Sequence, residues 1–186
     1  MNVSDIIASA LVLIGRKELV PFIEDPSNAM DDDAGEVIET LLYCYNAVED
    51  ELARKYIPLI AREQMHSENG KFRYFDLPLS PIKIRKVTVN GKSVKFDALT
   101  GYMTVNAKDI VVEYEYAPPR KGIDEFSDYD GEVGEYLLAL GIAAEYALIN
   151  GEGEMADRWE KKYRAELDRV QRTLPVCASI PPRRWI

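Results

Sequence analysis

The chain has 186 residues, of which 47% are hydrophobic and 30% are charged, and its formal net charge is −9. This is the composition of a folded domain, and its apolar runs are too short to cross a membrane. Because the chain has 32 acidic residues and only 23 lysines and arginines, the chain as a whole should repel the phosphates of nucleic acid. Two cysteines do not make a disulfide framework, and the first residues lack the features of a signal peptide. We therefore expect a protein of a reducing cytosol or of a particle assembled there.

The first residues predict a short amphipathic helix. Ser4 is a good N-cap residue, and Gly15 is a natural C-terminal stop. Residues 18–32 carry several turn-forming residues, including Pro21, and predict a loop.

A long helix is predicted next. Asp33 and Glu36 have the spacing of a capping box, and the helix should end before Pro58. Apolar residues at steps of three and four predict one buried face, which needs partner helices. These residues are Val37, Leu41, Cys44, Tyr45, Val48, Leu52 and Tyr56.

A period of two then predicts an antiparallel sheet of four or five strands over residues 72–119. Asn90–Gly91 and Thr100–Gly101 predict tight turns between these strands. In the last strand one face should be buried, and it carries Ile110, Val112, Tyr114 and Tyr116.

After an acidic loop at residues 120–131, two antiparallel helices are predicted, joined at Asn150–Gly151. The first should begin near Asp130, and its Gly134 and Gly141 could both face a closely packed neighbour. Its predicted buried residues are Val133, Leu137, Leu138, Leu140, Ile142, Ala144, Leu148 and Ile149. Those of the second helix are Met155, Trp159, Tyr163, Leu167, Val170 and Leu174.

The predicted fold is thus mostly α-helical, a bundle of about four helices with an inserted antiparallel β module. The first helices of the bundle occupy residues 1–71 and the β module occupies residues 72–119. The C-terminal helix pair occupies residues 120–174. Residues 175–186 contain three prolines and predict an extended tail.

Few residues could carry catalysis or bind a metal. His66 is the only histidine, and its polar surroundings predict a solvated loop. Glu63 and His66 have the spacing of a di-metal ligand pair, but a second histidine is missing. Asp128 and Asp130 do not fit the register of a calcium loop around Gly131. We therefore predict no catalytic residue, no cofactor and no metal site.

Charge is unevenly distributed along the chain. Residues 24–39 hold seven acids and no base, and residues 124–135 hold six acids and no base. Residues 54–95 hold ten bases against three acids, and only bases follow Asp168. This separation is either ordinary solvated surface or a means for copies of the chain to meet edge to edge.

Three segments in order carry a family resemblance. They are the helices DIIASALVLIG and LLYCYNAVEDELARKY, the sheet FRYFDLPLSPIKIRKVTVNGKSV with IVVEYEYAP, and the helix pair EYLLALGIAAEYALINGEGEMADRWEKKYRAELDRVQR. The ordered set resembles the head–tail adaptor proteins of tailed bacteriophages, also called connector or head-completion proteins. Within them it is most similar to the tail tubular protein A type.

The resemblance implies a structural virion protein, without enzymatic activity or cofactor, that is made in the cytoplasm of the bacterial host. It implies a ring, usually a dodecamer, that joins the portal to the tail in the neck of the particle. The partners would be other copies of the chain, the portal protein and a tail or nozzle protein, with no membrane. DNA would pass through the channel without sequence-specific binding, which agrees with an acidic wall that repels it.

The C-terminal tail predicts a docking arm. It combines prolines of low conformational entropy with two cations and a terminal aromatic anchor. The residues predicted to form this partner interface are Pro181, Pro182, Arg183, Arg184, Trp185 and Ile186. In the adaptor family such C-terminal segments often hold the portal; the alternative is an end without fixed structure.

Three other functions stay open at this point, and one of them is a binding or regulatory module of bacterial origin. A tail terminator or another neck joint protein would also form a ring, but from a larger sheet and fewer helices. A metal-dependent nucleic-acid enzyme would need the acids of residues 24–39 and 124–135 to converge at one cleft.

Overall fold

The computed structural model describes residues 1–24, 32–131 and 133–173. The α-helices in this part of the chain are α1 (Val3–Leu13), α2 (Val20–Glu24), α3 (Asp32–Glu51), α4 (Glu135–Ile149) and α5 (Gly153–Thr173). The strands are β1 (Leu59–His66), β2 (Lys71–Arg73), β3 (Pro81–Val89), β4 (Lys92–Ser93), β5 (Asp97–Leu99), β6 (Tyr102–Thr104) and β7 (Asp109–Tyr116). The order confirms the predicted class, a helical bundle with an inserted antiparallel β module.

The bundle is built around α4, which packs against α1, α3 and α5. The predicted apolar face of α3 is buried, and Leu41, Cys44 and Tyr45 have no exposed surface. A single π-helical turn at Leu52–Tyr56 ends this helix just before Pro58, as predicted. The buried stripe of α3 therefore forms one wall of the core, which α1, α4 and α5 complete.

Gly141 allows α3, α4 and α5 to approach closely. A Cβ atom at this position would lie 2.7 Å from Val48 Cγ1 and 3.1 Å from Tyr163 Cε2. These contacts come from two different helices, so Gly141 lies where all three meet. The matching prediction for Gly134 is wrong, because a Cβ atom there would meet no atom of the described residues within 4 Å.

The β module consists of two sheets, where the sequence predicted one sheet of four or five strands. One sheet has the strand order β1-β7-β3-β4, and the other has the order β2-β6-β5. A second hydrophobic core contains Phe72 of β2 and Met103 of β6 together with Val112 and Tyr114 of β7. Strands β2, β4, β5 and β6 have only two or three residues each, too few for alternation to reveal them.

The predicted turns of the module are present. Asn90 and Gly91 both have positive φ, 50° and 78°, as the two central residues of a type I′ hairpin require. Gly101 has a φ of 84° in the turn between β5 and β6. In β7 the predicted inner face is correct, since Ile110, Val112 and Tyr114 are buried.

The predicted start of the β module at residue 72 is wrong, because β1 begins at Leu59 and pairs along its whole length with β7. Strand β1 alternates in burial, but one of its faces carries Arg62 and Gln64 while the other carries Ala61 and Glu63. Little apolar contrast separates these two faces, so the period of two is weak in the sequence.

Several helix boundaries also differ from the prediction. Helix α1 begins at Val3, with Asn2 rather than Ser4 at the N-cap position. Helix α3 begins at Asp32, which places Asp33 inside the helix instead of at a cap. The predicted loop at residues 18–32 contains α2, and α4 begins five residues later than Asp130.

The last turn of α4 is more exposed than predicted. Leu148 and Ile149 are 63% and 51% exposed, and Met155 at the start of α5 is 37% exposed. Helix α4 is apolar on nearly every side, with an unbroken run of buried residues at 137–144. Periodicity therefore could not tell which of its apolar residues face a neighbour.

Candidate interaction surfaces

The predicted partner interface lies outside the described residues. Residues 174–186 are not described, and they include Leu174, the second cysteine and the whole predicted tail at 175–186. The predicted interface residues in this segment are Pro181, Pro182, Arg183, Arg184, Trp185 and Ile186. The docking arm therefore stays a prediction.

His66 lies at the end of β1 and not in a loop. Its Nδ1 is 2.7 Å from Asp109 Oδ1, and its Nε2 is 3.2 Å from Glu68 Oε1. These carboxylates, Asp109 first, raise the pKa of the exposed imidazole above its usual value. Glu63 lies three residues before His66 on the same strand, so the two side chains point to opposite faces. They cannot bind one metal together.

Asp25, Asp31 and Glu132 of the two acidic segments lie outside the described residues. Within residues 1–24, 32–131 and 133–173, no three His, Cys, Asp or Glu side chains come close enough to hold a metal ion. Cys44 is fully buried, and burial raises the pKa of its thiol to about 12. It is a core residue, as the sequence predicted.

Residues 117–131 form a strap that ties the β module to the bundle. Asn46 of α3 accepts a hydrogen bond from the backbone N–H of Lys121 at 2.7 Å and donates one to the Lys121 carbonyl at 3.1 Å. The buried hydroxyl of Tyr129 donates to the Ile57 carbonyl at 2.7 Å. The strap also reaches the N-terminus, where the Val3 N–H donates to the Glu125 carbonyl at 2.9 Å.

Glu49 is the central anchor of this strap. Its side chain is fully buried, and its Oε1 accepts hydrogen bonds from Ser127 Oγ at 2.8 Å and from the Asp128 N–H at 3.0 Å. Burial raises the pKa of this carboxyl because it disfavours the charged form. Glu49 follows Tyr45 by four residues and precedes Leu52 by three, so helical spacing already places it on the buried face.

A pH-dependent stability follows from the raised pKa of Glu49. Below the usual value of about 4.5 the carboxyl is neutral in both the folded and the unfolded chain. As the pH rises through the folded-state pKa, the stability that the neutral form contributes is lost. Replacing Glu49 by Gln keeps an oxygen acceptor for Ser127 and Asp128 but removes the titration. We therefore expect the stability of Glu49→Gln, relative to the native chain, to increase between pH 4.5 and pH 8.

Urea denaturation at several pH values measures this difference, and the exposed Glu154→Gln variant is the control for the loss of one charge. A relative stability of Glu49→Gln that stays constant, or falls, as the pH rises would contradict the prediction.

The first exposed surface is the acidic face of α3. Glu36, Glu39 and Tyr43 follow at steps of three and four and are all exposed, Tyr43 by 62%. Beside them a groove of about 690 Å³ separates α3 from Ala117 and Pro118 at the start of the strap. This face therefore combines negative charge with an aromatic side chain that projects into solvent.

The second exposed surface is the basic hairpin formed by β3 and β4. Residues 81–96 hold five cations and no acid, and every one of these cations is exposed. An apolar hollow of about 350 Å³ lies on the same hairpin. Its apolar lining comes from Tyr74, Pro81, Ile82, Ile84, Phe96 and Ala98.

Further apolar surface lies elsewhere on the molecule. Phe75, next to the basic hairpin in sequence, is 92% exposed. On the bundle, Val12 of α1 and Tyr136 of α4 line a hollow of about 570 Å³. Sequence periodicity did not single out these residues, because it identifies buried faces and gives no signal for an apolar side chain left in solvent.

No helix in the described part of the chain is both long enough and apolar enough to cross a membrane.

No protein-family model matches this chain, and a search of the curated proteins finds no match.

Proposed function

We propose that the chain is a structural adaptor of a tailed bacteriophage, a ring component that joins the portal to the tail and extends the DNA channel. The observation that carries the proposal is the architecture: a β module inserted between two pairs of bundle helices. This is the arrangement that the resemblance implies. A tail terminator, with a larger sheet and fewer helices, would fit it less well.

The distribution of charge over the two parts of the fold supports the same proposal. Residues 59–116, which form the β module, hold nine lysines and arginines against seven acids, a net charge of +2. The rest of the chain has a net charge of −11. Copies that place the module of one beside the bundle of the next would bring opposite charges together, and such a contact between different surfaces can close into a ring.

An acidic surface also suits a conduit for DNA. A wall of negative charge repels the phosphate backbone, so DNA can slide past it without being held. In this proposal the ring contacts other copies, the portal protein and a tail or nozzle protein, and its location is the neck of the virion.

Electron microscopy of the purified chain mixed with the portal protein of the same phage tests the proposal. We expect an additional ring of density on the tail-facing end of the portal, absent from portal particles alone. Portal particles that stay unchanged at a large excess of the chain would overturn it.

Incubating the chain with plasmid DNA and Mg²⁺ or Mn²⁺ tests the enzymatic alternative. The adaptor proposal expects intact plasmid. Cleavage that co-purifies with the chain and is abolished by a chelator would favour the nuclease instead.

A further inference from the structure

Two exposed surfaces of the molecule complement each other in charge. The acidic face of α3 presents Glu36, Glu39 and Tyr43, and the basic hairpin presents five cations and an apolar hollow that is lined in part by Lys83. We propose that the acidic face of α3 in one copy docks on the basic hairpin of a second copy, with Tyr43 seated in the hollow. This inference rests on the proposed function, because it names the contact between neighbouring copies in the ring.

The charges on both surfaces are available for such a contact. Lys83, Lys86, Lys92 and Lys95 form no ion pair with any described residue, and Arg85 lies 3.7 Å from Glu115. Glu36 and Glu39 likewise form no side-chain ion pair within the described part of the chain. Bringing the two surfaces together would place carboxylates that have no ion-pair partner in their own copy beside ammonium groups that also have none.

The apolar parts of the two surfaces also match. Tyr43 is the aromatic side chain that projects from the acidic face, and Glu39 and Glu36 lie one and two helical turns before it. The hollow has aromatic walls in Tyr74 and Phe96, and its volume of about 350 Å³ can admit one aromatic ring. An aromatic anchor buried in a pocket is a common arrangement of an interface hot spot.

The contact joins different surfaces of the two copies, so it is heterologous. In a bound pair, the first copy keeps its basic hairpin free and the second copy keeps its acidic face free. The same contact can therefore repeat from copy to copy and close into a ring.

Disulfide trapping between two variants, each with one cysteine added on its surface, tests the contact. Both variants carry Cys177→Ser, which leaves only the buried Cys44 as a native thiol. One variant adds Ala47→Cys, one turn beyond Tyr43 on α3, which leaves the tyrosine anchor in place, and the other adds Ala98→Cys in the wall of the hollow. After mixing and mild oxidation we expect a mixed disulfide dimer, identified by a mass tag on one variant.

The matched control replaces Ala98→Cys by Asp157→Cys on the exposed side of α5. We expect at least tenfold less mixed dimer with this control. Equal yields from both mixtures would overturn the inference, since they would mean that the two cysteines meet by random collision.

A charge-reversal series separates lost contact from lost folding. Adding Lys83→Glu and Lys86→Glu to the Ala98→Cys variant should lower the yield about tenfold. Adding Glu36→Lys and Glu39→Lys to the Ala47→Cys variant should restore the yield when both reversed chains are mixed. Circular dichroism checks that the charge-reversed chains are folded. If they are folded and the yield of mixed dimer does not recover, the proposed pairing of charges is wrong.

The trapping experiment and the portal experiment can fail independently of each other. If rings form on portal particles but Ala47→Cys and Ala98→Cys are not trapped together, this inference fails and the adaptor proposal stands. If trapping succeeds but no ring forms on the portal, the contact between copies stands and the adaptor proposal fails.

Discussion

Replacing Leu137 by alanine is expected to destabilise the fold by about 2–5 kcal/mol. Leu137 has no exposed surface and lies in the middle of the core that α4 shares with α1 and α3. The substitution removes buried methyl groups and leaves a cavity that the surrounding helices cannot fully close. Chemical denaturation followed by far-ultraviolet circular dichroism measures the change in the free energy of unfolding.

The same helix offers a matched control. Leu148 is 63% exposed, although periodicity predicts it as buried along with Leu137. Its replacement by alanine should change stability by no more than about 0.5 kcal/mol, as is usual for surface positions. If both substitutions cost the same, the assignment of the faces of α4 is wrong.

Gly141→Ala is expected to destabilise the fold by about 1–3 kcal/mol, although alanine is the better helix former. The new methyl group would lie 2.7 Å from Val48 Cγ1, and valine is stiff about χ1, so this neighbour cannot turn aside. Strain between α3 and α4 therefore outweighs the gain in helix propensity.

A double-mutant cycle tests this origin of the strain. Adding Val48→Ala removes the methyl groups that the new side chain meets, so the double variant should be more stable than the sum of the single effects predicts. Gly35→Ala in α3 is the control, because nothing described lies within 4 Å of a Cβ atom there and the gain of about 1 kcal/mol in helix propensity should remain. Additive effects of Gly141→Ala and Val48→Ala would contradict the close packing of these helices.

The bundle was predictable wherever a helix has one apolar face. In α3 the spacing of Leu41, Tyr45 and Val48 identifies the buried side directly, and these residues are buried. In α4 nearly every position is apolar, so the same rule could not separate Leu137 from Leu148. The difference between them depends on which neighbouring helices extend that far, and this is a property of the tertiary structure.

The β module shows the same limit. The Asn90–Gly91 turn and the inner face of β7 follow from local chemistry and were predicted. The division into two sheets was not, because it depends on short strands such as β2, which pairs with β6 at residues distant in the chain.

The candidate surfaces were predictable only in part. The sequence shows that residues 81–96 are basic and that Glu36 and Glu39 lie in an acidic segment. It does not show that Tyr43 is exposed or that an apolar hollow forms on the hairpin. The strap contacts of Glu49 with Ser127 and Asp128 join residues nearly eighty positions apart, and no local rule predicts such pairings.

The pairing of Leu59 with Tyr116 at the base of the module bears on how such a chain can fold and diversify. Once β1 and β7 have paired, the two ends of the inserted module lie side by side. The helices before the module are then connected to those after it much as they would be by a short loop. The entropic cost of closing a loop grows only slowly with its length, so modules of very different size could occupy this site on the same helices. Adaptation to a new neighbour could therefore proceed by exchanging the module while the helical scaffold stays the same.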